Sequence, residues 1–293
     1  MIAKTLEVSR SNLNKRLSEG KEMKDRTQLD TDANLLADIK LLMQKKPSYG
    51  YRRITSKLNT NRRLNGLLCV NHKRVYRVMK AHNLLFSRYP KKPVRNHNGK
   101  VITLRSNTRW CSDTFCIPCD NGDRVQVAFS LDTCDRELMS YVTSNRGIDG
   151  AMIQDLMAET MHYRYGEIDK LPHRIQWLTD NGPCYVARKT VNFGRDIGLD
   201  ICTTRPYSPE SNGMAEAFVK TFKRDYVWFG DLSSAEHVMA QLPAWFEDYN
   251  ENAPHKGLGM LSPRQHIRMK LPEQERQDGA GEGSSQTANA VRQ

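Results

Sequence analysis

A mixed-sheet α/β domain preceded by a small all-α module is the fold class that this 293-residue sequence predicts. Three observations carry it. Apolar residues between 34 and 85 recur at helical spacing in short pieces. Between 125 and 131, just after an Asn-Gly pair, apolar residues alternate with small or polar ones. From 149 to 228, short apolar strands and amphipathic helices take turns, which requires crossover connections.

Residues 1–33 form a polar segment in which LEVSRSNLNKRL suits one short helix, with Ser9 or Ser11 as its cap. In the module, residues 34–85, Leu35, Leu36, Ile39, Leu42 and Met43 mark a first helix. Pro47 and Gly50 interrupt the chain, and Tyr51, Ile54 and Leu58 mark a second. Asn71 is placed to cap a third, with Val75, Val78 and Met79 inward and Lys73, Arg74, Arg77 and Lys80 on the outer face. Three short helices, the last one cationic, suit a helix-turn-helix reader of the major groove of DNA. Residues 86–108, with Pro90, Pro93 and Gly99 among basic side chains, read as a linker.

The larger domain spans 109–270. Trp110–Phe115 reads as a strand, Asn121-Gly122 as a hairpin turn, and Val125, Val127, Phe129 and Leu131 as the inner face of a second strand. Leu138–Val142 suits a third. Asp149 caps a helix carrying Met152, Ile153, Leu156 and Met157. A strand at Ile175–Leu178, a helix near 185–197, a strand near 199–203 and a helix at about 213–228 follow. An antiparallel meander followed by crossovers of this kind fits an RNase H-like fold. A last helix is expected from Ser233, with Glu236 completing a capping box and Val238, Met239, Leu242, Trp245, Phe246 and Tyr249 inward. Pro243 interrupts that stripe. Residues 271–293 read as a disordered tail.

The formal net charge is +12, from 45 Lys and Arg against 33 Asp and Glu, and it is unevenly placed. No acidic residue lies between Asp38 and Asp113, a stretch that holds 19 Lys and Arg. From 109 onward the balance tips slightly acidic. Such asymmetry separates a part that meets a polyanion from a part that needs carboxylates. No apolar run is long enough for a membrane span, and the start lacks the apolar stretch of a signal peptide. The seven cysteines are therefore read as reduced thiols of a cytoplasmic, nucleoid-associated protein.

Phosphoryl transfer on DNA needs an oxygen nucleophile, an in-line path and charge on the phosphate, which two divalent ions held by carboxylates supply. Three acids stand in suitable places. Asp113 lies within the first strand, where an acid is costly unless it is paired or binds metal. Asp180 ends the fourth strand, where open α/β sheets bind ligands. Glu216, separated from it by 35 residues, sits in the first turn of the helix opening at Gly213. Lys220 and Lys223 share its face, while Phe218 and Phe222 anchor the other.

RWCSDTF, WLTDNG and RPYSPESNGMAEAFVKTFK resemble the three catalytic motifs of integrase-core DDE transposases, the second-reading-frame (OrfB-type) products of bacterial insertion sequences of the family numbered three. YGYRRI (49–54) and NHKRVYRVM (71–79) are similar to that family's helix-turn-helix segment, and YNENAPHKGLGMLSPRQH (249–266) to its terminal pattern. The resemblance implies that Asp113, Asp180 and Glu216 ligate Mg²⁺ or Mn²⁺, as two ions, and that Lys223 contacts DNA. It suggests that Asn181, Gly182, Ser211, Asn212 and Gly213 shape the site. It implies terminal-repeat and target DNA as substrates, a homo-oligomer in a synaptic complex, and the element's first-frame product as a fused or separate partner. One departure is visible: relatives often carry Arg-Pro-His where this chain has Ala253-Pro254-His255, which removes any DNA contact by that arginine.

Other constellations are weaker. Cys116 and Cys119 have metal or redox spacing but no second pair, and Cys69, His72 and His82 lack a fourth ligand. Asp132 and Asp135 are rival carboxylates, with a salt bridge to Arg136 or a turn role for Asp132 as the plainer reading. His162, His173 and His255 read as surface or packing residues, and no glycine-rich phosphate loop is present. The rivals to a transposase are a non-catalytic DNA-binding regulator and an RNase H-type nuclease that cuts without joining.

Overall fold

The computed structural model describes residues 29–86, 103–204 and 212–270. The short N-terminal helix, most of the linker, the segment 205–211 with Ser211, and the tail at 271–293 lie outside the described residues.

Three helices form the module: α1 (Leu29–Lys45), α2 (Tyr51–Leu64) and α3 (His72–Ala81). α1 begins at Leu29, inside the stretch assigned from sequence to the polar leading segment. Leu35, Ile39, Ile54, Leu58, Val75, Val78 and Met79 close a small core, with Leu36, Leu42, Met43 and Tyr51 at its margin. Asn71 caps α3 through its side chain, which accepts from the Lys73 amide.

The core is a five-stranded sheet in the order β3-β2-β1-β4-β5. β1 (Arg109–Pro118), β2 (Arg124–Asp132) and β3 (Leu138–Ser144) form the antiparallel meander. β4 (Ile175–Thr179) and β5 (Leu199–Thr203) run parallel to β1. α4 (Gly150–Tyr165), capped by the Asp149 side chain, crosses from β3 to β4. Two short helices, α5 (Pro183–Val186) and α6 (Arg188–Asp196), replace the single helix expected near 185–197. Pro183 can open a helix but not continue one, and Ala187 between them is extended. α7 (Gly213–Asp225) and α8 (Ala235–Asn252) cover the opposite face, and residues 263–270 are helical.

β1 alternates between two cores because successive strand residues point to opposite faces. Trp110 packs with Ile153, Met157 and Trp177 under α4 and α6. Cys111, Phe115 and Ile117 pack with Phe218, Phe222, Leu242 and Phe246 of α7 and α8.

Two sequence expectations are corrected. α8 is capped by Ser234, whose hydroxyl accepts from the His237 amide at 3.3 Å. His237 thereby takes the third helical position, and Glu236 completes no capping box. Pro243 lies within α8 without ending it, because Val238, Leu242, Phe246 and Tyr249 on its inner stripe are all buried.

Phe222 is fully buried and lies 5.7 Å from Phe115, 4.7 Å from Phe246 and 5.1 Å from Tyr226, centroid to centroid. Replacing it with alanine should cost about 3–5 kcal/mol by loss of buried area and opening of a cavity. Chemical denaturation of the two proteins side by side measures this.

Candidate active site

The sheet register assembles two of the three carboxylates. Arg109 pairs with Gln176, Trp110 with Trp177 and Cys111 with Leu178, and Arg109 Nε donates to Gln176 Oε1 at 2.7 Å. Carried two residues past the last pair, the same register sets Asp113 beside Asp180. Asp113 falls between Cys111 and Phe115 on the face that meets α7. The first turn of that helix carries Glu216, exposed, beside the buried Ala215.

Local bonds hold each acid. Asp113 Oδ1 accepts from the Thr114 amide at 2.8 Å, and Asp180 Oδ1 accepts from the Gly182 amide at 2.9 Å. A Cβ at Gly182 would stand 3.0 Å from Asp180 Oδ1, so glycine lets the carboxylate fold over its own turn. Beneath them, Ser112 Oγ and Tyr185 Oη share a buried hydrogen bond of 2.8 Å. Asn212 Nδ2 donates to the Ser112 carbonyl at 3.3 Å, tying the start of α7 to β1. Asn181 Nδ2 donates to the Thr204 carbonyl at 3.0 Å. Tyr185 carries no sequence signal of its own, because nothing local marks a tyrosine in a four-residue helix as a strut under a distant strand.

Electrostatics shows the charges of Asp180 and Glu216 reaching Asp113. Burial pushes Asp113 up to about 6; the Thr114 amide opposes this, and the charges of Asp180 and Glu216 add to it. Mutually repelling carboxylates match the oxygen preference of a hard divalent ion, whose charge would relieve the repulsion. The residues present fit such an ion in kind and in electrostatics. In the arrangement described, no group of three or more His, Cys, Asp or Glu among the described residues stands close enough to hold a metal.

The rival acid serves another purpose. Asp132 is buried and accepts from the amides of Asn107 and Cys134, each at 2.7 Å. Its ionic partner is Arg164, 3.7 Å away, rather than Arg136. Asp135 and Glu137 share that guanidinium at 3.0 and 2.9 Å. Asp132 faces Trp110 across the β1–β2 ladder, three residues along β1 from Asp113. Cys116 lies on β1 and Cys119 in the hairpin, where the Gly122 amide donates to its carbonyl.

Cations flank the site. Lys220 is exposed, and Lys223 Nζ lies 5.6 Å from the centroid of Phe115, on the strand face that carries Asp113. On α3, Lys73, Arg77 and Lys80 are exposed. Arg74 is already engaged, its Nη2 2.7 Å from Asp32 of α1, and so presents little free charge. A groove of about 620 Å³ between α2 and α3 is lined by Tyr51, His72, Lys73, Tyr76, Arg77 and Phe86.

The integrase core domain family matches residues 104–209, and a second integrase core domain family matches 197–263. An HTH-like domain matches 30–93. Transposase InsD for insertion element IS2A/D/F/H/I/K of Escherichia coli is 40% identical over 274 residues, covering 92% of this chain and 91% of that one. The chain belongs to the integrase-core DDE transposases. Among solved structures, the catalytic domain of Mos1 mariner transposase is 19% identical, with a TM-score of 0.41 over 57% of this chain and 78% of that one. The catalytic core domain of BIV integrase is 15% identical, with a TM-score of 0.41 over 57% and 98%. In this transposase the fold is a helix-turn-helix module joined to an RNase H-like core, and among the described residues no helix is long and apolar enough to cross a membrane.

Because Asp113 titrates above the usual carboxylate value near 4 when folded, ionising it weakens the metal-free fold. The cost is absent below about pH 4, grows as pH rises, and is complete above about 6. For a partly exposed group it amounts to roughly 1–3 kcal/mol. Asp113→Asn should therefore melt higher than wild type in EDTA at pH 7.5, and the gap should close toward pH 4.

Proposed function

We propose that this transposase cuts and joins the ends of an insertion sequence of the family numbered three, with Asp113, Asp180 and Glu216 as the catalytic carboxylates. The observation that carries the reading is the β1–β4 register, which sets Asp113 beside Asp180 at the foot of the helix bearing Glu216. Those three residues would hold Mg²⁺ or Mn²⁺, as two ions, which when bound would activate the attacking oxygen and shield the charge on the leaving one. Asp113 and Asp180, fixed by their own turn amides, orient from the sheet, while Glu216 approaches from α7. Lys220 and Lys223 on the same face would meet the phosphodiester.

In the first step water attacks the phosphodiester at the element's end, the P–O3′ bond breaks, and the departing 3′-oxygen takes up a proton released by the water, leaving a 3′-hydroxyl and a 5′-phosphate. In the second, that 3′-hydroxyl attacks a target phosphate, a new P–O bond forms, and the displaced 3′-oxygen leaves as a hydroxyl. The phosphodiester count is conserved in the joining step, so no nucleotide cofactor is required.

The helical module would hold the terminal repeats, with Lys73, Arg77 and Lys80 toward phosphates; Arg74 would contribute less while it pairs with Asp32. Synapsis by a homo-oligomer, end recognition aided by the first-frame product, and residence on the nucleoid complete the reading. Support for them comes from the likeness to InsD and the basic module.

A labelled element end with Mg²⁺ or Mn²⁺ tests the proposal. Wild type should yield nicked and joined products, and Asp180→Asn should bind the same DNA yet lose at least about a thousandfold in rate. Cutting without joining would favour a nuclease, binding alone a regulator, and an active Asp180→Asn would overturn the site. Neutralising Lys73 and Arg77 together should weaken binding about equally on unrelated duplexes and lower the salt dependence by about two counterions, read from Kd against salt concentration.

A further inference from the structure

Among the described residues, side-chain contacts tie the helical module to the core. Lys46 pairs with Asp248 on α8, Lys57 Nζ donates to Asn252 Oδ1 at 3.0 Å, and Ser56 Oγ donates to the Met260 carbonyl at 2.8 Å. At the centre lies Asp225. Ser48 Oγ donates to its Oδ1 at 2.6 Å, and Arg53 Nη1 stands 2.7 Å from its Oδ2. Arg224 brackets both oxygens at 2.7 and 2.9 Å. Arg53 also stacks over the Tyr49 ring, 3.7 Å from its centroid.

Asp225 is out of place by every local rule. It ends the buried stripe Ala215, Phe218, Phe222, where an apolar side chain would suit, and its side chain is 0% exposed. It is also the last residue of α7, where the helix carbonyls already concentrate negative charge. A buried acid there is tolerated only if cations meet it. Against burial, Arg224, Arg53 and Ser48 hold its carboxyl below the usual range. The Arg53 approach lies off the N–H axis, so it is an ion pair rather than a directed hydrogen bond. Tyr49 Oη, Arg53 Nε and His255 Nε2 are buried without partners among the described residues, which leaves Asp225 as the main fixed point for the guanidinium.

We propose that Arg53 is a positioning residue for the DNA chemistry: through Asp225 it sets the seat of α7, and so of Glu216 at the other end of that helix, against the helices that hold DNA. The two acids lie about 14 Å apart along α7, within one rigid element. Arg53 belongs to YGYRRI on α2, and its inward direction makes it a dock onto the core rather than a DNA contact. The inference rests on the strand-cleavage reading above.

The test uses the full chain with duplex DNA carrying the element's own terminal repeat. Arg53→Gln and Asp225→Asn should each slow cleavage by about ten- to a hundredfold, with Kd for the duplex within about twofold of wild type. The double variant should be no slower than the worse single, because both remove one contact. Arg53→Lys should recover part of the rate. Hydrogen exchange separates positioning from local support. In Arg53→Gln the amides across all of α7, including the turn after Glu216, should exchange faster, whereas a merely local brace would affect only the end near Asp225. A weakened Kd with unchanged cleavage, or additive losses in the double variant, would overturn the proposal. If wild type cuts nothing, the cleavage reading fails, and the clasp is still decided by exchange: acceleration confined to the end near Asp225 refutes it, acceleration reaching Glu216 sustains it.

Discussion

The structure depends on what a single strand must satisfy. β1 pairs antiparallel with β2 on one side and parallel with β4 on the other, and it presents its two faces to separate cores. The parallel side places the end of β4, and hence Asp180, level with Asp113. The face directed at α7 makes room for Glu216. A slip of one residue in β1 would turn Asp113 into the α4 core and bring Cys111 and Phe115 with it. Trp110 on one face, Phe115 on the other and the Arg109–Gln176 hydrogen bond at the strand's start make such a slip costly. The proposed site is thus held in register by packing that would take no part in its chemistry.

Much of this was legible in the sequence, for definable reasons. The strands announce themselves because β2 alternates strictly and an Asn-Gly turn precedes it. α3 is legible because Asn71 is a strong cap and Val75, Val78 and Met79 keep helical spacing. The acids stand out because a carboxylate in a central strand, or at a strand end, has few reasons to be there. What sequence could not reveal is long-range. The pairing of Asp132 with Arg164 instead of the nearby Arg136 depends on α4 lying across the sheet. Arg74 reads as a free cation in the sequence, and only the fold brings Asp32, 42 residues earlier, beside it. The division of α5 from α6, and the cap at Ser234 rather than Ser233, turned on competing local signals of similar strength.

The two halves of the chain divide the electrostatic labour. The module carries cations on α3 and few acids, which suits a long polyanion held by many weak contacts. The core concentrates acids, some neutralised by Arg164 and Arg264, and a few left to repel each other at the head of the sheet. Bringing a negatively charged duplex toward negatively charged ligands is unfavourable unless cations stand between them. On the proposed reading Lys220 and Lys223, one on each successive turn after Glu216, would occupy that position.

The side-chain junction also has a meaning in time. Ser48 and Asp225 are 177 residues apart in the chain, and Lys46 and Asp248 are 202 apart. The module's own contacts are short-range, so it can fold as soon as it leaves the ribosome. The core cannot close until β4 has found β1, across the whole meander and α4. The Asp225 contact therefore forms after both parts are built, when nearly the entire chain has been synthesised. A truncated chain that ends before α7 would carry a finished helical module but neither Asp225 to dock it nor Glu216 to complete the proposed site. On the proposed reading, such a fragment would occupy element ends without harming them, so that chain length itself would separate holding DNA from breaking it.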